Sequence, residues 1–149
     1  MKILALDLGA KCGWAVNEKV NNVLNLKPTR FSSAGTKFLD FENFLNINLK
    51  QNEIELVAYE EVRRHIGTDA AHAYGGYQAI LQKVCLNHFI EYKGVPVGTI
   101  KKHATGKGNA SKEEMIVAAN KFYPSINIKD DNHADALCLL HYANSIYSN

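Results

Sequence analysis

Lys2-Ile-Leu-Ala-Leu-Asp7-Leu-Gly9 is a short, nearly unbroken apolar run that meets a carboxylate and then a glycine. A run this short and apolar reads as a strand buried on both faces. A carboxylate without a partner is expensive to bury there. Asp7 therefore has two readings. It is a solvated or capping residue at a strand end, or it is a ligand for an ion or a phosphate. Gly9 favours the second, because Asp-x-Gly lets the backbone turn sharply beside the carboxylate.

Working outward, Gly9 and Gly13 bracket a tight connection to a second strand, Trp14-Ala-Val16. Residues 20–26 and 30–35 are both candidates for a third strand, with Pro28 marking a turn between them. Apolar residues at 38, 41, 44, 45 and 49 repeat at helical spacing. Ile54 to Tyr59 is another buried strand and runs directly into Glu60-Glu61. A long helix is expected from Asp69 to about Tyr92, ended by Gly94, with Gly75-Gly76 offering a close approach to a dimer partner. Val95 to Thr99 reads as a further strand, with Pro96 favouring an edge or strand entry. Ser111-Lys-Glu-Glu114 is a capping box that starts a helix running to about Tyr123, before Pro124. A last helix begins near Asp131 or Asn132. The order implies one α/β domain over residues 1–149, with a mixed five-stranded sheet covered by helices on both faces.

The chain has 149 residues, 46% hydrophobic and 21% charged, which suits one soluble globular domain with its own core. No apolar stretch approaches the ~20 residues of a membrane span. The N-terminal run lacks a small-residue cleavage signal, so a secretory signal is not expected. Cys12, Cys85 and Cys138 lie far apart and are odd in number, which suits reduced packing residues of a cytoplasmic protein. Net charge is only +2, too weak alone to mark a nucleic-acid binder. Its distribution says more. Residues 101–112 hold Lys101, Lys102, His103, Lys107 and Lys112 without one carboxylate. If the acids elsewhere hold cations, this segment is free to meet phosphate.

Glu60 ends its apolar strand as Asp7 ends its own. Two such carboxylates at neighbouring strand ends repel unless a cation lies between them. Side chains alternate along a strand, so only one of Glu60 and Glu61 can join Asp7. Asp135 lies in the first turn of the last helix. Acids there complement the helix dipole, but Asp131 or Asn132, four and three residues earlier, would place a second oxygen on the same helix face. Oxygen donors of this kind suit Mg²⁺ or Mn²⁺.

These residues resemble the motifs of RuvC-type Holliday-junction resolvases, of the ribonuclease-H-like superfamily, and look closest to phage-borne relatives. Ile-Leu-Ala-Leu-Asp7-Leu-Gly is similar to the first catalytic strand. Ala-Tyr-Glu60-Glu-Val resembles the second acidic motif, which selects Glu60 over Glu61. Thr-Gly-Lys107-Gly-Asn-Ala-Ser-Lys112 looks like the basic loop and helix start that contact DNA, and Asp131-Asn132-His-Ala-Asp135 like the closing acidic motif. The resemblance spans nearly the whole chain. It implies a homodimer that nicks opposing strands of a four-way junction symmetrically. It also implies two Mg²⁺ or Mn²⁺ ions per site, held by Asp7, Glu60 and Asp135. Location would be the cytoplasm, of the host cell if the chain is phage-encoded.

Two departures stand out. An acidic residue or His is usual three positions before the last Asp, but Asn132 stands here, leaving Asp131, Asn132 and His133 as candidate companions. An aromatic wedge often follows the second acidic motif, but here the stretch is Val-Arg63-Arg64-His65, whose arginines suit bases or phosphates at a crossover. His103 and His133 are the histidines best placed for phosphate or metal contact. Other readings are a nuclease for other branched DNA or RNA–DNA hybrids, and a non-catalytic junction binder, which Asn132 alone supports. Asp-Leu-Gly also opens the phosphate site of actin-like kinases, but those folds need two such domains.

Overall fold

The computed structural model describes residues 1–65 and 67–148. Its sheet has five strands in the order β3-β2-β1-β4-β5. β1 (Ile3–Asp7) lies at the centre, antiparallel to β2 (Lys11–Ala15) and parallel to β4 (Leu56–Glu61). β3 (Asn21–Asn25) closes one edge against β2, and β5 (Glu91–Pro96) closes the other against β4. The sheet is thus mixed, as its connections require. β1 to β3 follow one another through short turns, which suit antiparallel pairing. β4 and β5 are each reached through a helix, which suits parallel pairing.

Helices cover both faces. α1 (Thr36–Gln51) and α2 (Thr68–Asn87) pack on one. There Phe41, Leu45, Leu49, Tyr77 and Leu81 bury Leu4, Leu6, Val57 and Tyr59. α3 (Val97–Thr105), α4 (Lys112–Phe122) and α5 (Asp131–Tyr147) lie on the other. There Ile100, Met115, Leu137 and Cys138 bury Ile3, Ala5, Leu56 and Ala58. The alternation of side chains decides which residue joins which core. Odd positions of β1 and even positions of β4 face α5.

Small residues bring α5 close to the sheet. Ala5, Ala15, Ala58, Ala134 and Ala143 are all fully buried. Gly13 takes this furthest, since a Cβ there would collide with the Asn132 carbonyl at the start of α5.

Several sequence expectations shift. α2 stops at Asn87, not near Tyr92, and the chain reverses at Phe89, whose φ is +56°. Gly94 does not end it. Gly94 lies inside β5 opposite Tyr59, packed against the Tyr59 ring and the Glu61 side chain. Residues 97–105 are helix rather than strand. Pro96 ends the pairing with β4, its ψ of 143° starts α3, and Gly106 closes that helix with φ +85°. Residues 30–35 form no strand. The third strand is Asn21–Asn25, and the hydroxyls of Thr29, Ser32, Ser33 and Thr36 hold the following turns. Gly13 lies within β2 rather than closing the connection before it. Gly76 meets the Phe38 ring of α1, so the close approach it permits is within the chain. The N-cap of α5 is Asp130, one residue before Asp131 and two before Asn132, the expected candidates.

The capping box of α4 forms as expected. Glu114 N donates to Ser111 Oγ at 3.2 Å, and Ser111 N donates to Glu114 Oε1 at 3.2 Å. Cys12, Cys85 and Cys138 are buried and unpaired. Among the described residues, no helix is long and apolar enough to cross a membrane.

The contrast between two glycines is testable. Gly13→Ala presses on backbone that cannot move aside, so it should cost about 3 kcal/mol or more. Gly94→Ala meets side chains that can shift, so its cost should be smaller. Urea denaturation of the two variants measures the order.

Candidate metal centre

Asp7 is the last residue of β1, and Glu60 is in the last turn of pairing of β4. Leu6 pairs with Tyr59, so Asp7 and Glu60 stand side by side one step further along the two parallel strands. Their positions, odd on β1 and even on β4, turn both toward α5. α5 brings Asp135 to the same point from its first turns. One carboxylate oxygen from each of Asp7, Glu60 and Asp135 lies within 4.8 Å of the others, and all three residues are half-buried.

Three contacts fix this geometry. Tyr74 of α2 donates its hydroxyl to the Glu60 carbonyl at 2.8 Å and accepts from Val62 N at 3.0 Å, clamping the end of β4. Asp130 Oδ1 accepts from His133 N at 2.8 Å and caps α5. Gly13 lets the Asn132 carbonyl lie against β2. Sequence reasoning missed the Tyr74 clamp. The available signal was that a buried tyrosine hydroxyl needs a partner.

Electrostatics mark the cluster as strained without a cation. Burial, and then the Glu60 and Asp135 carboxylates, push the Asp7 carboxyl well above its ordinary range. Burial, then Glu60 and Asp131, raise Asp135 to about 7, against the partial opposition of Lys101 and Lys112.

The other expected site residues are distributed as follows. Asp131 stands just outside the three-carboxylate group, with Oδ2 3.7 Å from Lys112 Nζ. Asn132 contributes its carbonyl to the contact with Gly13. His133 is not brought to the three-carboxylate group. Its Nδ1 accepts from Lys129 N at 3.0 Å, and its Nε2 is 2.8 Å from Asn21 Oδ1. Lys101, on the unforeseen α3, lines a small pocket with Glu60 and Asp135. Arg63, Arg64 and Lys112 line a broad groove of about 830 Å³ that also contains Glu60. Arg63 Nε pairs with Glu61 Oε1 at 2.9 Å, so Glu61 faces away from Asp7 as alternation requires. Lys107 pairs with Glu114 at 2.6 Å, and Lys102 is exposed. His103 is drawn elsewhere. Its Nε2 is 2.8 Å from His141 Nδ1, and it packs among Phe122 and Tyr142.

With the arrangement in hand, solved structures supply a comparison. Thermus thermophilus RuvC in complex with a Holliday junction substrate superposes with a TM-score of 0.80 at 18% identity, over 99% of this chain and 94% of that one. The fold is that of RuvC. A second T. thermophilus RuvC structure gives a TM-score of 0.77 at 19% identity, over 97% and 95% of the two chains. The yeast mitochondrial Holliday junction resolvase gives 0.66 at 13% identity, over 93% and 75%. No protein-family model matches the chain, and no curated protein matches its sequence.

The donor set of this RuvC fold suits a hard divalent cation. All three candidate ligands are carboxylates. Oxygens on one octahedral Mg²⁺ stand about 3–4 Å apart. A spread of up to 4.8 Å therefore closes with small side-chain rotations.

A stability prediction follows from the raised carboxyls. Asp135 sits at about 7 in the fold against an ordinary 3.8. The native state thus keeps a proton that the unfolded chain has lost. Metal-free stability should fall as pH rises from about 4 through about 7, with Asp7 acting in the same direction. Scanning calorimetry should show Tm decreasing over that window, a flatter profile for Asp135→Asn, and recovery with Mn²⁺ at pH 8. A metal-free Tm that does not fall between pH 5 and 8 contradicts this.

Proposed function

We propose that the chain is a divalent-metal-dependent endonuclease that resolves four-way DNA junctions. The observation that carries this reading is the convergence of Asp7, Glu60 and Asp135 from two strand ends and a helix start. The RuvC fold supports it, since both named relatives act on Holliday junctions by their descriptions.

Asp7, Glu60 and Asp135 would hold Mg²⁺ or Mn²⁺, with Asp131 the nearest candidate for a fourth ligand. Bound there, the cation supplies polarisation of a phosphate oxygen and a water of lowered pKa. The chain supplies the rest. Tyr74 keeps Glu60 from moving with the loop that follows β4. Lys101 and Lys112 offer positive charge beside the carboxylates, where a phosphodiester must sit. Arg63 and Arg64 line the groove that leads away from Glu60 and suit the phosphates of a second arm. The pairing of Arg63 with Glu61 is largely exposed, so a phosphate can replace it at little cost. Lys102 and Lys107 extend the positive surface beyond the groove. Binding through these cations should weaken steeply with salt. A homodimer would place two such centres on one junction for paired nicks. Such a role belongs in the cytoplasm, of the host cell if the chain is phage-borne.

The test is a cleavage panel of four-way junction, flap, fork, duplex and RNA–DNA hybrid, each with Mg²⁺ and Mn²⁺. Paired symmetric nicks confined to the junction are expected. Asp7→Asn should bind the junction normally and cut it on the order of 1,000-fold more slowly. Junction binding without cleavage in Mn²⁺ would identify a non-catalytic junction binder. Preferential cutting of the hybrid or flap would move the substrate assignment.

A further inference from the structure

His133 is the one buried polar or charged residue among the described residues, at 1% exposure. Both of its ring nitrogens are engaged. Nδ1 accepts from the backbone N–H of Lys129, so the ring proton lies on Nε2 and is donated to Asn21 Oδ1. Asn21 is oriented in turn. Its Nδ2 donates to the carbonyls of Asn17 and Glu18 at 3.1 and 3.0 Å. Its oxygen is thereby left to face α5. Asn17 is fixed as well, since its Oδ1 accepts from Lys19 N and Val20 N. An ordered chain of hydrogen bonds runs from the β2–β3 turn, through Asn21 and His133, to the segment before α5.

The position of His133 on the helix gives this chain its consequence. His133 and Asp135 are two residues apart, about 200° around the helix. One side of the helix start is thus tied to β3, while Asp135, one turn on from Asp131 rather than in the first turn as expected, is presented from the other. Gly13 sets how closely the turn approaches β2, but a glycine contact does not resist rotation about the helix axis. A directional hydrogen bond on the far side does. A rotation of about 10° displaces a group about 6 Å from the axis by about 1 Å. Misplacement on that scale can cost on the order of 100-fold in rate.

We infer that His133, held by Asn21, is a positioning residue that sets the rotation of α5 and so aims the Asp135 carboxylate at Asp7 and Glu60. The inference rests on the proposed role of those carboxylates as a cation site. It gives a reason for His133 in the closing motif that does not involve ligation, and it gives the edge strand β3 a part in the chemistry.

The test measures Mn²⁺ affinity by electron paramagnetic resonance without DNA, the single-turnover cleavage rate of a bound junction, and Tm. The variants are His133→Ala, Asn21→Ala, the double variant and His133→Gln. Leu49→Ala is the control, because it destabilises the core on the opposite face. His133→Ala and Asn21→Ala should each weaken Mn²⁺ binding about 10-fold and slow cleavage about 10- to 100-fold, with junction affinity unchanged. The double variant should be no worse than the poorer single one, since both break one link. His133→Gln retains a donor for Asn21 and should recover part of the loss. Leu49→Ala should lower Tm while leaving Mn²⁺ affinity intact.

A Tm loss in both single variants with Mn²⁺ affinity and cleavage rate unchanged overturns the inference. If His133→Ala does not fold, Asn21→Ala on the edge strand carries the test alone. Wild-type protein that binds Mn²⁺ in a His133-dependent way but cuts no junction sustains the positioning role and removes the junction-resolving one. Wild-type protein that takes up no Mn²⁺ removes both.

Discussion

Carboxylates from β1, β4 and α5 meet with their oxygens within 4.8 Å of one another, and this repulsion is the constraint around which the domain is arranged. At an effective dielectric near 20, each ionised pair at that distance opposes the fold by on the order of 3 kcal/mol. A protein selected only for stability would not place them so. The fold nonetheless holds them firmly. β1 and β4 are central, parallel and buried, so neither strand end can withdraw from the other. α5 is seated on alanines and Gly13, so Asp135 cannot retreat outward without opening the core. A divalent cation held there would turn the same arrangement from a cost into a gain, at the C-terminal ends of two parallel strands.

The positive charge is arranged to complement this. Lys101 stands by Asp135, Lys112 by Asp131 and Arg63 by Glu61. Lys112 and Arg63 are held near the carboxylates by largely exposed pairings, which are weak and screened by salt. All three cations offset part of the negative charge, and in the proposed function they would turn to phosphate. A net charge of only +2 conceals this, because acids and bases lie at different depths. The acids are half-buried at two strand ends and a helix start, and the bases stand on the rim.

The central geometry was legible in the sequence because it rests on period-two alternation. Counting along Ile3–Asp7 and Leu56–Glu61 lets only one of Glu60 and Glu61 join Asp7, the resemblance selects Glu60, and the register of β1 against β4 places it there. The capping box at Ser111 and the acidic start of α5 were equally local signals. What escaped was decided by tertiary context. Residues 95–99 are rich in β-branched side chains, and only the end of pairing at Pro96 turns 97–105 into α3. Gly94 resembles a helix stop, but its role is to make room for Tyr59 beneath the sheet edge. His103 and His133 looked equally fit for phosphate or metal. Their partners, His141 and Asn21, are 38 and 112 residues away and leave no local trace.

The central claim is that Asp7, Glu60 and Asp135 form one cation site. Anomalous diffraction from crystals grown with Mn²⁺ tests it most directly. A manganese peak within bonding distance of all three carboxylates is expected, with the peak lost in Asp7→Asn. Manganese bound elsewhere, with these three carboxylates bare, would contradict it.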